Sequence, residues 1–70
     1  MTLTAVVYPD AGSDCLVAFN PETGTTTQGK TVEEAISNLK EATELYLEEF
    51  PSRTNGHPVL TTFEAEPAHA

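Results

Sequence analysis

Positive charge is scarce in this 70-residue chain, in which three Lys or Arg residues stand against eleven Asp or Glu residues and the formal net charge is −8. Such a charge repels the phosphate backbone of nucleic acids, because only Lys30, Lys40 and Arg53 oppose it. Direct binding of nucleic acid is therefore not expected. A basic protein is a more favourable partner, since opposite fields steer encounter. The alternative is that the charge only keeps a small domain in solution.

Cysteine and metal-ligand patterns are equally scarce. Cys15 is the only cysteine, which excludes an internal disulfide and suits a reducing compartment. His57 and His69 lack partners at metal-site spacing, so neither a metal nor another cofactor is expected. A chain of this size buries only about 60% of its unfolded surface, near the lower limit for folding alone. Self-association as a homodimer would supply the missing buried area.

Long apolar runs are also missing. The N-terminal run of residues 1–8 has no basic leader and stops at Pro9 and Asp10, so no signal peptide is expected. No run approaches the roughly 20 apolar residues that span a bilayer. We expect a cytoplasmic protein with no membrane partner.

The residues that are present predict an α+β domain. Apolar or β-branched runs bounded by turn formers predict strands, and one amphipathic stretch predicts a helix. The order is β-β-β-α-β: strands over 3–8, 15–19 and 24–28, a helix over 32–50 and a fourth strand over 59–64. These elements form one domain, residues 1–64, with a three- to four-stranded, mainly antiparallel sheet and one helix on one face. Residues 65–70 are expected to fray.

The helix has clear start and stop signals. Thr31 and Glu34 have the spacing of a capping box, and Pro51 ends the helix. Gly29 is expected to allow the tight passage from the third strand into the helix. One stripe at helical spacing is predicted to be buried: Val32, Ile36, Leu39, Thr43, Tyr46 and Phe50.

Both faces of the predicted sheet carry apolar side chains, since Val6 and Tyr8 point away from Ala5 and Val7. One helix covers one face, and an uncovered apolar face usually marks a contact surface. Two surfaces compete for self-association. The first is the sheet side with Val6, Tyr8, Leu60 and Thr62, and the second is the weakly polar helix flank around Leu45. The sheet side is favoured because strand edges also offer unpaired backbone groups.

No set of residues forms a catalytic constellation. Asp10 and Asp14 flank a tight loop, and turn chemistry explains them better than paired acid/base catalysis. Cys15 has no activating His or Asn, and a small buried apolar side chain is the simpler interpretation. The chain is therefore expected not to be an enzyme, unless an oligomer assembles a composite site.

The amino-acid sequence of the helix and of the residues just before it resembles that of a known family. Residues 28–49, QGKTVEEAISNLKEATELYLEE, are similar to the corresponding segment of the HicB family of bacterial antitoxins. The weaker likeness of the rest extends from the first strand to the run at 59–61. The resemblance implies a truncated ribonuclease-H-like β-β-β-α-β unit without a nuclease's carboxylates. It also implies an antitoxin that binds and masks HicA, a small basic toxin that cleaves messenger RNA.

The resemblance is to a short HicB-like domain, because the sequence does not include the C-terminal DNA-binding domain of full-length family members. Near the third strand it has Thr23, Gly24 and Thr25 where members often have Pro-Gly-Cys. If a basic toxin is the partner, acidic loop and helix residues are expected to attract it: Asp10, Asp14, Glu22, Glu34 and Glu41. The alternative is a solitary protein-interaction or structural module with no toxin partner.

Overall fold

Three short strands and one long helix make up the fold. The computed structural model describes residues 1–51 and 56–68. Strand β1 spans Val6–Pro9, β2 Leu16–Phe19, β3 Thr26–Gly29, and helix α1 Val32–Glu49. The sheet order is β1-β2-β3 with both pairs antiparallel. The predicted α+β domain is confirmed. Expectations for residues 52–55 and 69–70, which include Arg53 and His69, fall outside the described residues.

The strand register decides which side chains face the helix. Val7 pairs with Ala18, which pairs with Thr27, and in the next row Leu16 pairs with Gly29. These side chains therefore share one face, because paired residues in neighbouring strands point the same way. The core on this face is small. It consists of fully buried Ala18 and Ala35 and buried Leu39, with Val7 and Leu16 packed against them.

The helix begins as predicted. The Thr31 hydroxyl accepts a hydrogen bond from the Glu34 amide at 3.1 Å, and the Glu34 carboxylate accepts one from the Lys30 amide at 2.8 Å. The second bond of the capping box thus reaches one residue further back than in the standard motif. At the other end the Phe50 amide donates to the Tyr46 carbonyl at 2.9 Å, and Pro51 follows.

The buried stripe of α1 is rotated from the predicted one. Its buried residues are Ala35, Leu39 and Thr43, whereas Val32 and Ile36 are exposed by 45% and 41%. The cause lies in β3. A Cβ atom on Gly29 would stand 2.4 Å from the Ala35 nitrogen, so only glycine allows the helix backbone to approach here. The helix is drawn over β2 and β3, and β1 is left partly uncovered.

The predicted fourth strand is wrong for the single chain. Residues 56–68, which we call the arm, form no strand, and Val59, Leu60 and Phe63 are 88%, 64% and 87% exposed. The Cα radius of gyration is 14.2 Å, against about 11 Å for a compact chain of this length. An alternating apolar sequence becomes a strand only where a sheet edge accepts its backbone groups. Here the arm projects instead.

Candidate binding surfaces

The loop between β2 and β3 is organised by one buried amide. The Asn20 side chain is 1% exposed, and its Nδ2 donates to the Thr4 carbonyl at 2.7 Å and to Glu22 Oε1 at 2.6 Å. Its Oδ1 accepts from the Thr23 amide at 2.9 Å. Gly24 closes the loop at φ 82°, where a glycine is favoured. This side chain ties the segment before β1 to the β2–β3 loop.

Glu22 belongs to the same network, and its prediction as an exposed partner-attracting acid is wrong. It is 4% exposed, and its carboxylate accepts hydrogen bonds from the Thr4 amide at 2.9 Å and the Thr4 hydroxyl at 2.7 Å. Burial by itself would raise the pKa of the Glu22 carboxyl, but the hydrogen bonds from Thr4 and Asn20 outweigh it and lower that pKa. The carboxylate is therefore held inside the hydrogen-bond network of this loop.

A row of threonine hydroxyls connects this loop to the helix. Thr23 and Thr25 hydroxyl oxygens lie 2.8 Å apart, and the Thr25 hydroxyl lies 2.8 Å from that of Thr43 in α1. The sequence pattern placed Thr43 in the buried helical stripe but did not predict its hydrogen bond to Thr25. Two features of the sequence point to a polar loop here: the Asn-Pro pair, which predicts a turn, and the four threonines among residues 23–27.

The β1–β2 loop agrees with its interpretation as turn chemistry. Asp10 Oδ2 accepts from the Ser13 hydroxyl at 2.8 Å, and the Ser13 oxygen accepts from the Cys15 amide at 3.1 Å. Asp10 is half-buried, while Asp14 is exposed. Because Leu16 pairs with Gly29, this loop and the start of α1 lie at the same end of the sheet. Asp14 and the first helical glutamates therefore share that end.

The helix presents an acidic surface to solvent. It carries six glutamates and one lysine, Lys40. All six are exposed: Glu33, Glu34, Glu41, Glu44, Glu48 and Glu49. The prediction of a solvated acidic helix is confirmed. Four of the five predicted attracting acids retain exposed or partly exposed carboxylates, and only Glu22 is withdrawn.

An apolar groove separates α1 from the segment that leads into β1. Its volume is about 460 Å³. Its apolar walls come from Leu3 and Ala5 on one side and from Ile36, Leu39 and Leu47 on the other, with Lys40 at the helix side. We call this feature the open groove. Ile36, which was predicted to be buried, lines this groove and is therefore exposed.

The predicted self-association residues lie in different settings. On β1, Val6 is half-buried and Tyr8 is 47% exposed, and this strand is an edge of the sheet. Leu60 and Thr62 are exposed on the arm, and Leu45 is 59% exposed on α1. The structure thus does not assemble the sheet-side surface as predicted, because Leu60 and Thr62 lie on the arm and not in a strand. The helix flank around Leu45 is accessible.

Neither a metal site nor a membrane span emerges from residues 1–51 and 56–68. Within these ranges no group of three or more His, Cys, Asp or Glu side chains is arranged to hold a metal ion. No helix in the same ranges is both long and apolar enough to cross a membrane. Comparison of the chain with protein-family models, curated proteins and solved structures finds no match.

Proposed function

We propose that the chain is a HicB-like antitoxin-type protein of the cytoplasm that binds and masks a small basic HicA-like, mRNA-cleaving toxin. The observation that carries the proposal is the similarity of residues 28–49 to the corresponding segment of HicB antitoxins. The same segment supplies an accessible acidic surface opposite the buried stripe. We further propose that the sheet and helix represent a truncated ribonuclease-H-like unit, and that the protein acts as a homodimer.

Electrostatics supports this proposal in a defined way. Asp14, Glu34 and Glu41 are exposed, and the net charge of −8 gives the whole molecule a field that attracts a basic protein. Exposed charges of this kind accelerate association and make it sensitive to salt, while they change the final affinity less. In this scheme apolar contacts would supply the remaining affinity.

The first test is the reading frame adjacent to this chain's gene, which the proposal expects to encode a small basic protein. Such a protein should co-purify with this chain, and the complex should lose the RNA cleavage of the free basic protein. Glu34→Lys with Glu41→Lys should slow association and weaken its salt dependence. Glu48→Lys with Glu49→Lys reverses the same number of exposed charges outside the predicted set, so it is the matched control and should have a smaller effect. A basic neighbour that neither binds nor loses activity would refute the proposed function.

The alternative is a solitary interaction or structural module without a toxin partner. The open groove and the exposed arm favour it, because they offer apolar contact surface that needs no basic protein. A gene with no basic neighbour would support this alternative. Self-association would not distinguish the two, because the antitoxin is also proposed to act as a homodimer.

A further inference from the structure

We infer that two side chains of the β2–β3 loop form a latch, which holds residues 1–5 as a detachable wall of the open groove. The side chains belong to Asn20 and Glu22, and they take the place of the backbone groups of Pro21 between them. We call residues 1–5 the strap. The latch is a conformational device of this chain itself, so it goes beyond the proposed function and needs no toxin partner.

The register of β1 on β2 shows what the latch replaces. The Asp10 amide donates to the Cys15 carbonyl at 3.0 Å, so these two residues form a hydrogen-bonded pair at one end of the ladder. Such pairs recur at every second residue along an antiparallel ladder. Counted in the observed register, the pair at the other end would be Thr4 with Pro21. Proline has no backbone N–H, so Pro21 cannot complete that pair.

Both bonds of the missing pair are made by the side chains on either side of Pro21. Asn20 Nδ2 donates to the Thr4 carbonyl at 2.7 Å, as a backbone N–H would. Glu22 Oε1 accepts from the Thr4 amide at 2.9 Å, as a backbone carbonyl would. Asn20 Nδ2 also donates to the same Oε1 at 2.6 Å and so joins the two substitutes. Side chains therefore extend the β1–β2 ladder by one pair.

Thr4 is the point at which the strap is held. The strap itself forms neither strand nor helix. In the part of the chain that the structure describes, the hydrogen bonds between the strap and the rest of the fold all involve Thr4. Leu3 and Thr4 are half-buried, and the other three residues of the strap are exposed. Because the latch supplies these bonds, the strap can open by local unfolding while the sheet stays intact.

Opening of the latch would remove one side of the open groove. Leu3 and Ala5 line the groove on the strap side, and Leu39 and Leu47 line it on the helix side. When the strap detaches, the helix side loses the wall opposite it and faces solvent. The latch thus links two buried polar side chains of the β2–β3 loop to the shape of an apolar groove.

Native-state amide hydrogen exchange of the full chain at neutral pH is the first test. In the wild type the Thr4 amide should be protected, although it lies outside the strands. Asn20→Asp keeps an acceptor for Thr23 but loses the donor to Thr4, so it should lower the Thr4 protection factor by on the order of 10-fold. Asn38→Asp, the same change at an exposed position, is the matched control and should leave that factor unchanged. An unprotected Thr4 amide in the wild type, or protection that Asn20→Asp does not alter, overturns the inference.

A second pair of variants leaves the buried loop untouched. Thr4→Pro removes the amide that Glu22 binds, and Thr2→Pro makes the same change at a strap residue outside the latch. Both should keep the circular dichroism of the wild type. In nuclear magnetic resonance spectra, Thr4→Pro should shift the methyl signals of Leu39 and Leu47 on the groove wall, and Thr2→Pro should shift them much less. Equal shifts for the two prolines would show that the strap is not held at Thr4 and would refute the latch.

Discussion

The two sides of the sheet differ in how completely they are built. Where α1 crosses β2 and β3, close backbone packing, an N-cap and a threonine row hold the helix in place. Beside β1, the helix stands away from the sheet and leaves an apolar groove, while apolar side chains on the arm face solvent. The contrast shows that the contacts that fix the helix on the sheet lie mainly on the β3 side. The β1 side leaves apolar surface exposed to solvent.

The largest expected effect compares two apolar residues of α1. Leu39→Ala should lower the free energy of unfolding by about 3 kcal/mol, because it empties a buried position of a very small core. Ile36→Ala should cost about 1 kcal/mol or less at low protein concentration, since Ile36 is 41% exposed. Urea unfolding monitored by circular dichroism measures both. Equal losses would contradict the rotated stripe.

Close packing at β3 gives the next largest effect. Gly29→Ala should destabilise the protein by about 2 kcal/mol or more, because the added methyl group meets backbone atoms of Ala35 and Glu34 within 3 Å. Gly12→Ala is the control. A Cβ there has nothing within 4 Å, so the change should stay within about 0.5 kcal/mol. If both glycines tolerate alanine equally in thermal unfolding, the close approach does not position the helix.

The amide at the centre of the β2–β3 loop should follow. Asn20→Ala removes hydrogen bonds to three residues and leaves their buried partners unsatisfied, at a cost of about 2 kcal/mol. Asn38 is the comparison of the same residue type. It donates to the Gln28 carbonyl at 2.8 Å from an exposed position, so Asn38→Ala should cost about 0.5 kcal/mol. Chemical denaturation of the two variants should therefore rank them clearly.

The helix cap gives a smaller effect. Thr31→Ala should cost about 1 kcal/mol, because the Glu34 amide loses its acceptor. Thr31→Ser keeps the hydroxyl and should restore most of that loss. A serine variant as unstable as the alanine variant in thermal melts would show that the methyl group matters and the cap does not.

The smallest predicted effect depends on pH. The pKa of Glu22 is lowered in the folded protein, so the unfolded chain binds its proton more readily. The stabilisation by this carboxylate is therefore present above its ordinary value of about pH 4.3 and is lost as the pH falls through the lower folded value. Comparing Glu22→Gln with wild type at pH 7 and pH 3 isolates this contribution, and the difference should shrink in acid. Glu41→Gln, an exposed control, should show little of this change.

Local elements were readable from the chain because they depend on neighbouring residues. Thr31 and Glu34 predicted the helix start and Pro51 predicted its end. Gly24 was predicted to open the third strand, but it lies in the loop before that strand, which begins at Thr26. The position of α1 on the sheet was not readable. It depends on the contact between Gly29 and Ala35, which are far enough apart that periodicity alone does not reveal their approach. Glu22 was misassigned for a similar reason, since its partner Thr4 lies 18 residues away.

The sequence by itself determined three strands, one capped acidic helix and an excess of negative charge, because propensity, capping and composition act over a few residues. Only the tertiary structure decided which helix face is buried, which acid is withdrawn into a hydrogen-bond network, and whether the run at 59–64 becomes a strand. The buried helix face depends on the packing of α1 against β3 at Gly29 and Ala35. The other two outcomes depend on contacts between segments that are distant in the sequence. The run at 59–64 does not become a strand because its backbone groups do not pair with the free edge of β1.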